Sequence, residues 1–230
     1  MAIAEVQTAF GLTGNPVLSG VLAGDSLFLL VPFITTNTVA GFPTISDSSG
    51  QTWNPDLIPN SVGASGDFVG AALFSLLNAN AGTHTITVTI TDLLGNQQWA
   101  MGEFSGINTT SALDQTGTVL STATETSMTV TAGGANSLAN ELGFAIAAVE
   151  TNSGTSAALT DPPTGFTSMG VNQTWQSSDF GWEAAYQIYT SVATASAAYS
   201  WSGAGNRNVA LIGTYKAALA PITLMGQILT

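Results

Sequence analysis

Apolar and polar residues alternate with a period of two along much of this chain, and that pattern predicts strands. In Thr83–Ile90, Ile86, Val88 and Ile90 share one face and Thr85, Thr87 and Thr89 the other. Ser127–Thr131 repeats the pattern with Met128 and Val130, and Ala198, Ser200 and Ser202 alternate against Tyr199 and Trp201. Three runs, Leu27–Phe33, Phe144–Val149 and Val209–Tyr215, are near-continuously apolar, as expected of strands in the middle of a sandwich. Turn signals separate the strands: Gly41-Phe42-Pro43, Asp47-Ser48-Ser49-Gly50, Ala81-Gly82, Gly133-Gly134 and Asp161-Pro162-Pro163. No segment carries a capped helical period of useful length. The pattern predicts an all-β, antiparallel β-sandwich with helix below about 10%, far under the usual third.

The pattern also occurs twice. GDSLFLLVPF, DSSGQTW, GAALFSLL, THTITVTI and QWAMGEFSGI in the first half meet NELGFAIAAVE, DPPTGF, EAAYQIYTSV, ASAAYSWS and NVALIGTYKA in the second. The offset barely drifts, from 116 between Asp25 and Glu141 to 111 between Gly102 and Gly213. The sequence therefore divides into an N-terminal arm (1–14), two pseudo-repeated halves (15–110 and 111–217) and a C-terminal tail (218–230). Each half offers only about five strands, so the halves are expected to interleave into one jelly-roll-like sandwich. The strand at 70–77 should correspond to that at 183–190, and 98–107 to 208–217.

Charged residues make up only 7% of the 230 residues, against about 25% in an average soluble domain. The surface must be built from Ser, Thr, Asn, Gln and Gly, which suits packing against neighbours or display. Net charge is −12, with Arg207 and Lys216 the only basic side chains. That argues against nucleic acid, whose phosphates are met by several Lys or Arg, and against an anionic membrane surface. With no cysteine there is no disulfide, thiolate metal site or cysteine nucleophile. Residues 1–14 have no basic segment followed by a long apolar one, so no export signal is expected.

Candidate chemistry is sparse. His84, the only histidine, falls on the face of Ile86, Val88 and Ile90; no Gly-x-Ser-x-Gly elbow accompanies it, and it reads as a structural histidine at a strand end. Glu103 and Glu183 are the best pair for glycoside hydrolysis, each among aromatics in a strand, but both read as solvent-facing strand positions. The acidic turns at Asp47 and Asp161 stand at equivalent places and read as turn caps rather than calcium loops. No catalytic, cofactor or metal residue is assigned. Exposed aromatics among Trp53, Trp175, Trp182, Tyr189, Tyr199 and Trp201 would support an alternative, a carbohydrate-binding or adhesive module, with Trp175 and Trp182 as the candidate glycan contacts.

The tail, Ala218–Thr230, has no charged side chain and carries five large aliphatic residues besides Met225. Pro221 argues against a central strand but permits an edge or an extended arm. Pro221, Ile222, Leu224, Met225, Ile228 and Leu229 are the candidate assembly contacts, either packed on their own domain or added to a neighbour's sheet edge. Ala2–Phe10 is a second candidate arm.

AGDSLFLLVPF (23–33), TISDSSGQTW (44–53), NANAGTHTITVTI (78–90), MGEFSGI (101–107), ANELGFAIAAVE (139–150) and NVALIGTYKA (208–217) resemble, in kind and order, a β-sandwich module of tailed-phage structural proteins and large bacterial surface proteins. The resemblance covers most of residues 15–217 and rests on strand and turn patterns. It implies display or assembly rather than turnover. Joined to the expected lack of an export signal, it implies a phage virion component made in the host cytoplasm: a capsid decoration or head or tail accessory protein. Its partners would be the major capsid or other virion proteins and further copies of itself, and no cofactor is implied.

Overall fold

A strand apolar at every position cannot lie on a sheet with one wet face, because alternate side chains would meet water. The structure, a computed structural model that describes residues 2–36, 42–64, 67–151, 159, 162–175 and 180–219, answers this by stacking sheets four layers deep. In chain order the strands are β1 (Ala4–Gly11), β2 (Val17–Val21), β3 (Ser26–Thr35), β4 (Thr44–Asp47), β5 (Asn54–Ala64), β6 (Asp67–Leu76), β7 (Gly82–Thr89), β8 (Trp99–Ser105), β9 (Leu113–Ser121), β10 (Glu125–Ala135), β11 (Glu141–Glu150), β12 (Thr167–Trp175), β13 (Phe180–Tyr189), β14 (Thr194–Gly205) and β15 (Arg207–Tyr215). No helix occurs among the described residues, about two-thirds of which are strand.

Two five-stranded antiparallel sheets, β1-β8-β3-β6-β5 and β12-β13-β11-β15-β9, pack face to face. The small sheet β2-β7-β4 covers the outer face of the first, and β10-β14 that of the second. Along β3, Phe28 and Leu30 point into the seam between the large sheets, while Leu27, Leu29 and Val31 point towards β2 and β7. Along β11, Phe144, Ile146 and Ala148 enter the seam, and Ala145, Ala147 and Val149 face β10 and β14. Every residue of β3, β11 and β15 is buried, which is why these runs lack alternation.

The halves do not interleave, which corrects the expected single jelly-roll-like arrangement. The first large sheet ends at Ser105 and the second begins at Leu113, so each half builds its own large sheet and small cover. Each central strand is apolar on both faces and its small sheet covers only one. The other face is buried by the opposite half. Strand orders correspond position for position: β1, β8, β3, β6 and β5 stand where β9, β15, β11, β13 and β12 stand in the second sheet. The strands expected at 70–77 and 183–190 are β6 and β13, and each pairs with the central β3 or β11 of its sheet. β8 and β15 flank the same central strands on the other side.

The segment expected as an N-terminal arm is instead largely an integral edge strand. β1 pairs with β8 from Ala4↔Ser105 to Gly11↔Trp99, and Ile3 is buried in the seam core. Pairing there satisfies the backbone groups that β8 would otherwise present unpaired.

The seam is aromatic at its centre and tied by polar links at its margins. Phe28, Phe104, Phe144, Tyr186 and Tyr215 meet with ring centroids 4.5–6.0 Å apart, mostly edge to face. The Tyr215 hydroxyl donates to Asp56 at 2.8 Å, the Tyr186 hydroxyl donates to Glu5, and the Trp182 indole N–H donates to Gln98. Each of these bonds crosses from the second half to the first.

Candidate functional site

At one end of the seam the chain continues past β8 and β15, and the two continuations pair with each other. Ile107 bridges Ala217, the Asn108 amide donates to the Lys216 carbonyl at 2.9 Å, and the Ala218 amide donates to the Gly106 carbonyl at 2.7 Å. A cleft of about 500 Å³ opens beside this junction, lined by residues including Gly24, Asp25, Asn108, Thr110 and Leu219.

Asp25 stands immediately before β3 and Glu141 opens β11, equivalent places in the two sheets. Each follows a residue in the left-handed region, Gly24 (φ 92°) and Asn140 (φ 60°), conformations that Gly and Asn tolerate best. That turn aims a backbone amide at a carboxylate in both halves. The Leu22 amide donates to Glu103 at 2.8 Å, and the Leu138 amide donates to Glu141 at 2.9 Å. Gln7 also donates to Glu103, at 2.5 Å.

Beside Asp25 lies fully buried Glu103. Burial, then the hydrogen bond and charge of Glu103, push the Asp25 carboxyl above the ordinary carboxylate range. Glu141 is likewise raised by burial, which outweighs the Leu138 amide, with Asp114 adding to the rise. Asp114 is lowered, because the amide and hydroxyl of Ser137, Glu141 and the Lys216 ammonium 3.5 Å away outweigh its burial. Asp25 brings its pair with Glu103 to the wall of the cleft. Its immediate work is structural: it holds the turn from β2 into β3.

Glu103 and Glu183 do not come together. Both are buried rather than solvent-facing, because strands expected to have one wet face are covered on both. Glu103 shares its face of β8 with Met101, towards β2 and β7; Glu183 shares its face of β13 with Ala185, towards β10 and β14. The seam, with its large sheets about 10 Å apart, lies between the two carboxyls. A hydrolytic pair works at roughly 5–9.5 Å across one substrate. Glu183 instead adds to the effect of burial in raising the Tyr199 hydroxyl.

His84 is 1% exposed and both ring nitrogens are taken, Nδ1 by Asp47 at 2.8 Å and Nε2 by the Asn80 carbonyl at 2.9 Å. Asp47 also accepts the Ser49 amide and the Trp53 indole N–H, so it caps its turn and ties β4, β7 and the start of β5 together. These bonds, from Ser49, His84 and Trp53, outweigh burial and hold Asp47 below the usual carboxylate range. Asp161 lies outside the described residues. Among the described residues no three acidic or histidine side chains group to hold a metal ion.

The candidate glycan contact Trp182 is fully buried in the seam, and offers no face to a sugar. Trp53, Tyr189, Tyr199 and Trp201 are buried too. Trp175 ends β12 opposite Phe180, and its side chain is outside the described set. The candidate assembly contacts Pro221, Ile222, Leu224, Met225, Ile228 and Leu229 all lie outside the described residues. Sequence reasoning missed Asp25, Glu141, Asp114 and Asp56. The repeated leading acid, Asp25 in AGD and Glu141 in ANE, was the available signal, and it served only to align the halves. Compared with known proteins, the chain matches no family model, no curated protein and no solved structure.

Proposed function

We propose that the chain is a non-enzymatic structural component of a tailed-phage virion, a capsid decoration or head or tail accessory protein that assembles with other virion subunits. The observation that carries this reading is where the exposed apolar side chains fall. Val6 and Phe10 on β1, Val17 on β2, and Leu12 and Leu22 in the segments that follow these strands are all exposed, and Leu219, 75% exposed, stands at the cleft where the uncharged tail begins. Solitary soluble chains limit contiguous apolar surface, whereas subunits packed among others cover it. The resemblance of the strand and turn segments to phage structural modules supports the same reading. So does the paucity of charged side chains, which leaves few groups to desolvate when subunits pack. The protein is then made in the host cytoplasm and resides in the virion, against the major capsid or other virion proteins and against its own copies.

The test is incorporation. Purified particles are probed by mass spectrometry and antibody labelling, with the full chain and with a variant lacking residues 219–230. The full chain is expected in particles at stoichiometric occupancy, and the truncated chain is expected to stay folded but be absent. A protein never found in particles overturns the virion reading. Normal incorporation of the truncated chain overturns the role of the tail as an assembly arm, and its unfolding assigns the tail to its own core.

A further inference from the structure

Sheet edges present unpaired backbone groups, and proteins usually blunt them. Three of the four outer edges of the large sheets are blunted here. β5 carries Pro55 and Pro59, which lack amide hydrogens, and its register slips twice against β6. β12 slips twice against β13. β9 is overlaid by β10, so closely that a side chain on Gly117 would collide with the Thr131 carbonyl. β1 is the least protected, with a single register slip against β8, between Glu5 and Gln7. It has no proline, and its one charged residue, Glu5, is occupied by the Tyr186 hydroxyl and by Thr8. Val6 and Phe10 stand 41% and 51% exposed along it. Among the described residues nothing pairs with its outer edge.

The described residues of the second half also end beside this edge. Ala218 is bonded to Gly106, where an added side chain would collide with the Ala2 carbonyl, next to the start of β1. From there residues 220–230 continue without a charged side chain. The eight residues of β1 span about 26 Å, a length that eight extended residues of this segment match, so one such segment can cover one edge.

We propose that the outer edge of β1 is the acceptor for the C-terminal tail, residues 220–230, of a second copy of the chain, which adds to it as a sixth, antiparallel strand. This rests on the tail being the assembly arm proposed above. Direction selects the second copy. A chain's own tail starts at the Ala4 end of β1 and would run parallel to it, in a sheet that is otherwise antiparallel. To run antiparallel it would first have to reach the Gly11 end, a detour as long as β1 itself, about 26 Å, before turning back. A tail from a neighbour arrives from either end. Its backbone fills the edge and its alternate side chains meet Val6 and Phe10, as in other strand-addition interfaces.

The absence of cysteine makes the test clean. Purified full-length chain carrying Val6→Cys and Leu224→Cys, with no particle present, is oxidised mildly and run without reductant, and two single-cysteine chains are mixed in parallel. The expected result is interchain disulfide in both samples, with Val6→Lys in the cysteine-free background raising the apparent dimer dissociation constant roughly tenfold or more. Should Val6→Lys fold poorly by circular dichroism, hydrogen exchange replaces it: β1 amides are expected to exchange at least tenfold faster once residues 219–230 are removed. An intrachain disulfide only, no disulfide with tail cysteines at 222, 224 or 228, or unchanged exchange overturns the proposal. Such a failure alongside normal tail-dependent incorporation condemns this acceptor alone. Incorporation of the tailless chain condemns the reading beneath it.

Discussion

Phe28 and Phe144 meet ring to ring across the seam, with centroids 4.5 Å apart, and they are separated in sequence by the same 116 residues as Asp25 and Glu141. Each is fully buried on the central strand of its own sheet. The place where the two halves touch is therefore the same place on each half, as in a self-complementary dimer interface. Phe104 and Tyr215, equivalent positions on β8 and β15, complete the cluster around them.

A shared core should make the two halves unfold together. Phe28→Ala and Phe144→Ala are each expected to cost about 3–5 kcal/mol, with a coupling of about 0.5–3 kcal/mol in the double variant. Urea denaturation followed by fluorescence and circular dichroism should give one transition. Two separate transitions in the parent protein would show that the halves are independent domains.

Arg207 tests the opposite end of the seam. Its guanidinium grips Glu150 with two bonds of 2.5 Å and reaches Asp67 of the first half at 3.8 Å, with both partners of the main pair largely buried. Arg207→Met should cost about 3–5 kcal/mol by leaving Glu150 charged and buried, while Arg207→Met with Glu150→Leu should recover most of the loss. Equal losses in the single and double variants would mean that packing, not the orphaned charge, sets the cost.

Stability should depend on pH through two opposed sets of carboxyls. Asp47 is held low, so its contribution is present above its unfolded value, near pH 4, and is lost as pH falls through the lower folded value. Asp25, Asp56 and Glu141 are held high, so theirs is present while they are protonated and is lost as pH rises through the raised values. Asp47→Asn should lower the urea midpoint at pH 7, and by progressively less as pH falls below about 4. Asp25→Asn, which keeps a donor for Glu103, should flatten the decline as pH rises above about 4. An unaltered acid limb in Asp47→Asn would remove the Asp47 clamp from the account.

Replacing Glu103 or Glu183 should affect folding and not turnover. Glu103→Ala leaves the part-buried Leu22 amide and Gln7 without their acceptor, and should cost about 1–3 kcal/mol. Any polysaccharide hydrolysis detected in the parent and abolished by Glu103→Gln or Glu183→Gln would return these acids to catalysis. Trp182→Ala should likewise destabilise, by about 3–5 kcal/mol, without a glycan array registering a change that its lower folded fraction does not explain.

Most of the strands were legible because side-chain periodicity is local. Thr85–Ile90 alternates in sequence and alternates in burial in β7. The equivalence of Asp25 and Glu141 was legible too, as an offset. Their partners were not: Leu22 and Gln7 reach Glu103 only because β1, β2 and β8 converge. Asp47 was read as a turn cap from Asp-Ser-Ser-Gly, and it is one. Its bond to His84 depends on β4 pairing with β7 in a register that no local pattern announces.

By itself the amino-acid order determined the class of this protein, an all-β antiparallel sandwich, and most of its strands. Backbone propensity, turn chemistry and the period of apolar residues act over a few neighbours, and a repeated pattern needs no third dimension to be seen. Only the tertiary structure decided which faces are dry. A strand such as Phe144–Val149 announces that both its faces are buried but not what buries them, and the answer, the opposite half of the same chain, buried Glu103, Glu183 and Trp182 along with it. Burial belongs to the packing of elements distant in sequence, and so therefore do the fate of the candidate site and the β1 edge that no other described strand pairs with.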